Sequence, residues 1–176
     1  MEILILAVVT LPLLTALFLK VANRFLNELL TNFITINAAL LSVAVSFFMF
    51  GYLLLDKFKP IKFELFEWYP SPQIIFEFYL DGLSGVMMIL ISGLSLVIQL
   101  FSTSYMSKDE KYTKYFEYFN FFVFSMLLLV LSGNFLVMFF GWELVGLSSY
   151  LLISFFFYCF IIFSRFSPGC YRNSTS

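Results

Sequence analysis

The sequence contains no histidine, only two cysteines and few charged residues. Cys159 and Cys170 stand apart without a CxxC pair. A zinc, haem or iron–sulfur centre held by this chain alone is therefore not expected, and we predict no cofactor. Ten basic residues nearly balance eleven acidic ones, so the chain offers no basic surface for nucleic acid. No glycine-rich phosphate loop or catalytic triad is present either.

Apolar residues, in contrast, are abundant. Of the 176 residues, 61% are hydrophobic and 12% are charged, and the mean hydropathy is +0.96. Soluble domains contain about 45–50% apolar and about 25% charged residues. A chain of this size could not bury so much apolar surface in water, so we predict a membrane protein surrounded by lipids.

Five stretches are apolar enough to cross a membrane, which takes about 20 mostly apolar residues. The first begins beside Glu2, without the basic region and small-residue cleavage site of a signal peptide, so we interpret it as a retained membrane helix. The fourth and fifth stretches are separated only by residues 132–134, which predicts a tight antiparallel helix pair. The predicted spans are residues 3–19, 29–55, 83–101, 119–132 and 135–157. The fourth is short for a span unless it begins nearer Tyr115.

The segment between the second and third spans has a different pattern. Apolar and polar residues alternate over residues 62–65 and 75–78, and Pro70, Ser71 and Pro72 lie between them. This pattern predicts a short β-hairpin on the membrane surface. The predicted fold is an all-α polytopic membrane protein with this one hairpin. Its parts are two spans in residues 1–60, the hairpin in 61–80, three spans in 81–164 and a polar tail in 165–176.

The distribution of basic residues predicts the orientation. The inner side of a membrane protein is enriched in lysine and arginine. We therefore place the N-terminus and the hairpin outside, and residues 106–116 and the C-terminal tail inside. The inner basic residues are Lys20, Arg24, Lys108, Lys111, Lys114, Arg165 and Arg172, against Lys57, Lys59 and Lys62 outside.

Glu143 is the one acidic residue well inside a predicted span, about nine residues into the fifth. An ionisable side chain near the bilayer centre costs on the order of 2.5 kcal/mol or more, and is a candidate functional site by default. Neighbours on the same helical face suggest a buried setting: Leu136, Phe140, Gly146, Leu147 and Tyr150. We predict that Glu143 takes up and releases protons. The alternative is a neutral structural carboxyl that is hydrogen-bonded between helices.

The third span carries a polar stripe. Five polar residues fall within a sector of roughly 80° at about 100° per residue. Such stripes usually join membrane helices, and a hydrated path is the alternative. Asp81, before this span, is predicted to cap the helix. The stripe consists of Ser84, Ser92, Ser95, Gln99 and Ser102.

Residues 80–153 resemble subunit 5 of respiratory complex I along their whole length. The matching pieces, in order, are LDGLS (80–84), SYM (104–106), SMLL (125–128) and GWELVGLSSYLLI (141–153). The first 80 residues resemble the family in the order of their elements more than in their individual residues, although the segment around Trp68 fits. The resemblance implies a component of a proton-translocating NADH:ubiquinone oxidoreductase, in a mitochondrial inner membrane rather than a bacterial plasma membrane.

By that resemblance, Glu143 corresponds to the family's fifth-helix glutamate, which pairs with a lysine on a later helix during proton transfer. The later helices are absent here, and the tail departs from the family. We therefore expect a split or shortened subunit, with a frame change as a further alternative. The expected partners are other membrane-arm subunits and a second chain that presents a lysine to Glu143.

Two other functions stay open. One is the large subunit of a multi-subunit sodium/proton antiporter, whose motifs are related. The other is a structural piece of the membrane arm that does not pump. In each case the chain itself is expected to bind neither NADH nor flavin, because no dinucleotide-binding fold could form in it.

Overall fold

In a computed structural model, five long helices and one β-hairpin account for most of the chain. The structure describes residues 2–22, 27–55, 57, 59–70, 73–105 and 112–166. The elements in order are α1 (Glu2–Ala22), α2 (Glu28–Leu55), β1 (Ile61–Pro70), β2 (Gln73–Leu80), α3 (Gly82–Tyr105), α4 (Tyr112–Val130) and α5 (Phe135–Phe166). The predicted fold class is confirmed. Most of the predicted tail, residues 167–176, lies outside the described residues.

Four of these helices are long and apolar enough to cross a membrane: Ile3–Ala22, Glu28–Leu55, Gly82–Ser104 and Phe135–Phe157. The prediction for the fourth span was wrong at its start. Helix α4 begins at Tyr112 rather than at residue 119, so Lys114 and Glu117 lie in its first two turns. The added turns are helical because Tyr112, Tyr115 and Phe116 pack into the protein interior, which the polar residues among them conceal in the sequence.

The helices pack through two clusters of buried apolar side chains. The larger cluster joins α1, α2, α3 and α4 to β2, and includes Val9, Met49, Phe78, Met88 and Leu127. The smaller one, near the start of α4, consists of Leu19, Tyr112, Tyr115, Phe116 and Phe155. Lipid tails are as apolar as these side chains, so close van der Waals packing, rather than exclusion of water, holds membrane helices together.

Large apolar side chains cover much of the outer surface of α1, α2 and α3. In water such a surface would be a liability, but on a membrane-spanning bundle it is the surface that faces lipid. Examples are Leu14, Phe18, Phe33, Leu40, Phe47, Leu94 and Phe101, all exposed.

The predicted β-hairpin is confirmed and is longer than its alternating residues indicated. Strands β1 and β2 pair antiparallel, from Ile61 opposite Leu80 to Pro70 opposite Gln73. Two irregularities interrupt the register, between residues 64 and 66 and between 67 and 69. These shifts break the strict alternation that the sequence-based prediction used, which explains why it found only the regular part of each strand.

Strand β2 also binds the connection between α4 and α5, which the sequence did not indicate. The Tyr79 amide donates to the Leu131 carbonyl at 2.8 Å, and the Gly133 amide donates to the Glu77 carbonyl at 2.9 Å. The connection thus adds to the edge of β2 through main-chain bonds. Two helices separate the hairpin from this connection, so the contact agrees with both lying on one side of the membrane.

Asp81 caps α3 as predicted. Its carboxylate accepts a hydrogen bond from the Ser84 amide at 2.7 Å, and its own amide donates to the Ser84 hydroxyl at 2.7 Å. This reciprocal pair satisfies two main-chain amides at the start of the helix. The helix therefore begins at a fixed residue directly after β2.

Candidate functional site

The start of α5, the helix that carries Glu143, is fixed by Asn134. The Asn134 side-chain oxygen accepts from the Val137 amide at 2.9 Å, which caps the helix. The amide nitrogen of the same side chain donates to the Ile75 carbonyl of β2. Next to it, a Cβ on Gly133 would lie 3.0 Å from the Glu77 carbonyl oxygen, so glycine is needed for this close approach. The hairpin therefore holds the first turn of α5 in place.

One face of α5 packs closely on α4. Val137, Ser148 and Phe155 are buried on this face. At its centre, a Cβ added to Gly141 would lie 2.8 Å from the Leu129 Cα and 2.9 Å from the Leu129 nitrogen. The helix backbones approach so closely here that only glycine fits. Gly141 thus sets both the position and the rotation of α5, and with them the direction in which Glu143 points.

Glu143 lies on the opposite side of α5. It is five residues from the buried Ser148, which places the two side chains roughly 140° apart around the helix at about 100° per residue. The exposed face around it, called here the Glu143 face, consists of Phe139, Trp142, Glu143, Gly146, Leu147 and Tyr150. Trp142 is 69% exposed and Tyr150 is 67% exposed. The residues that the structure describes therefore do not cover the carboxyl.

The expected buried setting for Glu143 is not formed by the described part of the chain. Leu136 is partly buried, but Phe140, Gly146, Leu147 and Tyr150 are exposed. No atom lies within 4 Å of the place where a Gly146 Cβ would be. Among the residues that the structure describes, none forms an ion pair or hydrogen bond with Glu143. Helical periodicity groups residues on one face without telling which face meets the rest of the chain, so burial of Glu143 in an assembly stays a prediction.

Glu143 is far from either end of its membrane span. It is eight residues after Phe135, which corresponds to about 12 Å along the helix at about 1.5 Å per residue. The hydrocarbon core of a bilayer is about 30 Å thick. If α5 crosses the membrane, the carboxyl lies near its middle, where an uncovered charge is costly.

The predicted polar stripe on α3 faces the protein interior. All five of its side chains are buried. The Gln99 amide donates to the Asn120 side-chain oxygen of α4 at 3.3 Å, and the Ser102 hydroxyl lies 3.0 Å from the Tyr115 hydroxyl. Ser92 and Ser95 instead donate to carbonyls of their own helix. These bonds support the interpretation of the stripe as a contact between helices.

Glu117 is, besides Glu143, an acidic residue beyond the first turn of a helix, which the sequence reasoning missed. It lies partly buried in the second turn of α4, and Lys20 of α1 and Lys114 act on it electrostatically. The spacing of Lys114 and Glu117, three residues apart, was the available signal, since such pairs are neighbours on a helix. Within the described ranges, no group of three or more acidic, cysteine or histidine side chains could hold a metal ion.

Comparison with known proteins places the chain in a class. The family described as NADH-ubiquinone oxidoreductase (complex I), chain 5 N-terminus, matches residues 68–116. Among solved structures, a chain of the membrane-bound sulfane sulfur reductase, an archaeal respiratory membrane complex, has the same fold, with a TM-score of 0.73 and 19% identity. That match covers 85% of this chain and 30% of the other. The chain is thus a multi-pass membrane protein with the fold of a respiratory membrane-complex subunit.

The sequence relatives of the chain are subunits of NADH-quinone and NADH-ubiquinone oxidoreductases. NADH-quinone oxidoreductase subunit L of Buchnera aphidicola (subspecies Schizaphis graminum) is 37% identical over 152 residues, which is 85% of this chain and 25% of that protein. NADH-ubiquinone oxidoreductase chain 5 of Allomyces macrogynus is 36% identical over 155 residues, 86% of this chain and 24% of that protein. The chain matches the N-terminal, antiporter-like part of complex I chain 5 and subunit L. It spans about a quarter of the length of these relatives.

Proposed function

We propose that this chain forms the N-terminal part of a membrane-arm subunit in a proton-translocating NADH:quinone oxidoreductase. In this assembly Glu143 is a proton-carrying carboxyl, and another polypeptide segment completes the channel. Electron transfer takes place in partner subunits. This chain contributes a membrane-embedded acid whose protonation follows the state of its neighbours.

The exposure of Glu143 is the observation that carries the proposal. A carboxyl near the middle of a membrane helix needs a partner or water, because lipid supplies neither. The described part of the chain leaves the Glu143 face uncovered, whereas Gly141 and Asn134 fix the helix from the other side. The arrangement presents the acid outward in a defined direction, as a site shared between two polypeptide segments requires.

The proposed partner segment carries a lysine that faces Glu143. An opposite charge favours the ionised carboxylate, and its withdrawal favours uptake of a proton. Movement of the lysine side chain toward or away from Glu143 would therefore load and unload the acid. The exposed Gly146, one turn away on the same face, leaves room for a neighbouring helix to approach.

The relatives that match support a respiratory membrane as the setting. Allomyces macrogynus chain 5 and Buchnera subunit L point to membranes that hold a respiratory NADH dehydrogenase. We propose the mitochondrial inner membrane, with the hairpin outside and residues 106–116 inside. The partners are other membrane-arm subunits and lipids.

Substitution of Glu143 by glutamine tests the function. The side chain keeps its size but can no longer carry a proton, so NADH-driven proton uptake by membrane vesicles should fall to a small fraction of the unsubstituted rate. Oxidation of NADH by a soluble electron acceptor, which bypasses the membrane arm, should be unchanged. Glu64→Gln is the matched control, because Glu64 is an exposed carboxyl on the hairpin, and it should pump normally.

The possible outcomes distinguish between the proposed function and its alternatives. Normal proton uptake with Glu143→Gln in fully assembled complex would overturn the proposed role and leave a structural subunit. Proton movement that depends on sodium and not on NADH would identify an antiporter instead. Native gel separation, with mass spectrometry of the band that oxidises NADH, shows whether the chain is in the complex and which segment accompanies it.

A further inference from the structure

A small cavity with a mostly apolar wall and a few polar groups lies between the first four helices, away from Glu143. It is lined by residues of α1, α2, α3 and α4, including Pro12, Ser42, Ser95, Gln99 and Asn120. No residue of α5 lines it. The space open to the centre of a water molecule is about 10 Å³. This is about the smallest volume that holds one water molecule.

Two polar atoms at this cavity have no partner among the described residues: the Ser42 hydroxyl oxygen and the Gln99 side-chain carbonyl oxygen. Ser42 is 2% exposed and Gln99 is 1% exposed, so neither reaches bulk water or lipid headgroups. Buried polar groups are nearly always hydrogen-bonded, and an exception requires an explanation. The penalty is larger in a membrane, since lipid offers no hydrogen bonds.

The neighbouring bonds hold Gln99 in this orientation. Its amide nitrogen donates to the Asn120 side-chain oxygen at 3.3 Å, and the Asn120 amide donates to the Phe116 carbonyl at 2.8 Å. With its nitrogen so engaged, the Gln99 amide presents its carbonyl oxygen as a free acceptor. These two hydrogen bonds fix the orientation of the Gln99 amide. Only a donor inside the bundle could bond to its carbonyl oxygen.

Helix α1 contributes Pro12 to the wall of the cavity. Proline has no amide hydrogen, so Pro12 leaves the Val8 carbonyl oxygen without its usual donor four residues later. Pro12 itself lines the cavity and is buried. Water molecules commonly satisfy carbonyls freed by proline in membrane helices.

We propose that this cavity binds a single water molecule that joins α2 to α3. The water donates one hydrogen bond to the Gln99 carbonyl oxygen and accepts one from the Ser42 hydroxyl. Its second hydrogen remains for another acceptor in the wall. Together with the bond from Gln99 to Asn120, the water links α2, α3 and α4 through polar groups alone. The cavity is a structural site, distinct from the Glu143 face.

The experiment uses the opposite changes in apparent Tm that are expected with and without bound water. The intact assembly carrying Ser42→Ala is compared with the unsubstituted one by thermal unfolding in detergent. With water bound, the substitution removes a hydrogen bond and lowers the apparent Tm, by about 2–4 °C for a unit of this size. With an empty cavity, it removes an unpaired buried hydroxyl and raises the apparent Tm. Loss of one oxygen atom introduces no steric clash, and the higher helix propensity of alanine is measured by the control substitution on the same helix.

Ser46→Ala is the matched control. Ser46 is one turn away on the same helix and fully buried, and its hydroxyl donates to the Ser42 carbonyl at 2.8 Å, with no part in the cavity wall. Its substitution measures the loss of a buried hydroxyl that has a known partner. A density map of the unsubstituted assembly should show a water peak within hydrogen-bond distance of both Ser42 and Gln99. An empty cavity in a map that shows other internal waters, or a rise in Tm with Ser42→Ala, would overturn the proposal.

Discussion

The two faces of α5 have similar apolar compositions and opposite surroundings. One face packs on α4 through Gly141, Ser148 and Phe155, and the other exposes Trp142 and Glu143. In a soluble protein, polarity would distinguish the inner face from the outer one. In a membrane it does not, since lipid accepts apolar side chains as readily as the protein interior does. The face that packs within this chain is therefore distinguished by Gly141, which allows contact with the α4 backbone, and not by its hydrophobicity.

Two glycines five residues apart sharpen this contrast. Gly141 meets the backbone of Leu129, while the site of a Gly146 Cβ meets nothing in the described chain within 4 Å. The sequence places Gly146 on the same helical face as Glu143, where a small residue could let another helix approach closely. Within this chain the structure assigns that role to Gly141. Gly146 remains free for whatever covers the Glu143 face.

The largest effect is expected from a substitution that disrupts the contact between α4 and α5. Gly141→Ala would force the α4 and α5 backbones apart, which should destabilise the fold by about 1–3 kcal/mol, the usual cost of overpacking. The yield of assembled complex on native gels and its Tm should both fall. Gly93→Ala is the control, since no atom lies within 4 Å of that site, and it should leave both unchanged. Equal effects at positions 93 and 141 would refute the close contact.

An intermediate effect is expected where the hairpin holds the start of α5. Asn134→Ala removes both the helix cap and the bond to the Ile75 carbonyl, which should cost about 0.5–2 kcal/mol. Proton uptake should fall with it, because the first turn of α5 loosens. Thermal unfolding and proton uptake by vesicles measure the two effects.

Asn134→Asp separates the two roles of this side chain. Aspartate still accepts a hydrogen bond from the Val137 amide but cannot donate to β2. If the bond to β2 matters, the aspartate variant should be less stable than the unsubstituted chain and more stable than the alanine variant. An aspartate variant as stable as the original would show that only the cap contributes.

The smallest effect is expected at Asp81, away from α5. The hydrogen bond from the Ser84 amide holds the pKa of the Asp81 carboxyl below its usual value. A carboxyl with a lowered pKa in the folded state stabilises it above the unfolded-state pKa, and this contribution is lost as the pH falls through the folded-state value. Asp81→Asn can still cap the helix but does not titrate. The unsubstituted chain should be more stable near pH 7, by less than about 1 kcal/mol because the group is partly exposed.

Thermal unfolding at a series of pH values tests whether this stabilisation is lost as the pH falls. The difference in Tm between the unsubstituted and Asp81→Asn chains should shrink between pH 5 and pH 3. A difference that stays constant across this range would mean that the carboxylate charge contributes nothing to the cap.

Local signals in the sequence predicted the elements well. Long apolar runs marked the spans, alternation marked the hairpin, and Asp81 marked the start of α3 because the cap involves residues only three apart. The start of α4 was missed because its first turns are helical through packing of Tyr112 and Phe116 in the interior, although Lys114 and Glu117 interrupt the apolar run. Contacts between distant residues override the local pattern there.

The sequence by itself determined that this protein belongs in a membrane, how its helices and hairpin follow one another, and that Glu143 stands alone among apolar neighbours in its span. These features depend on composition and on residues close together in the chain. Only the tertiary structure decided that β2 binds the connection before α5, that Gly141 packs on Leu129, and that Glu143 points away from the rest of the chain. Each of these depends on atoms brought together from distant positions, and the helical period alone gives no rotation of one helix against another.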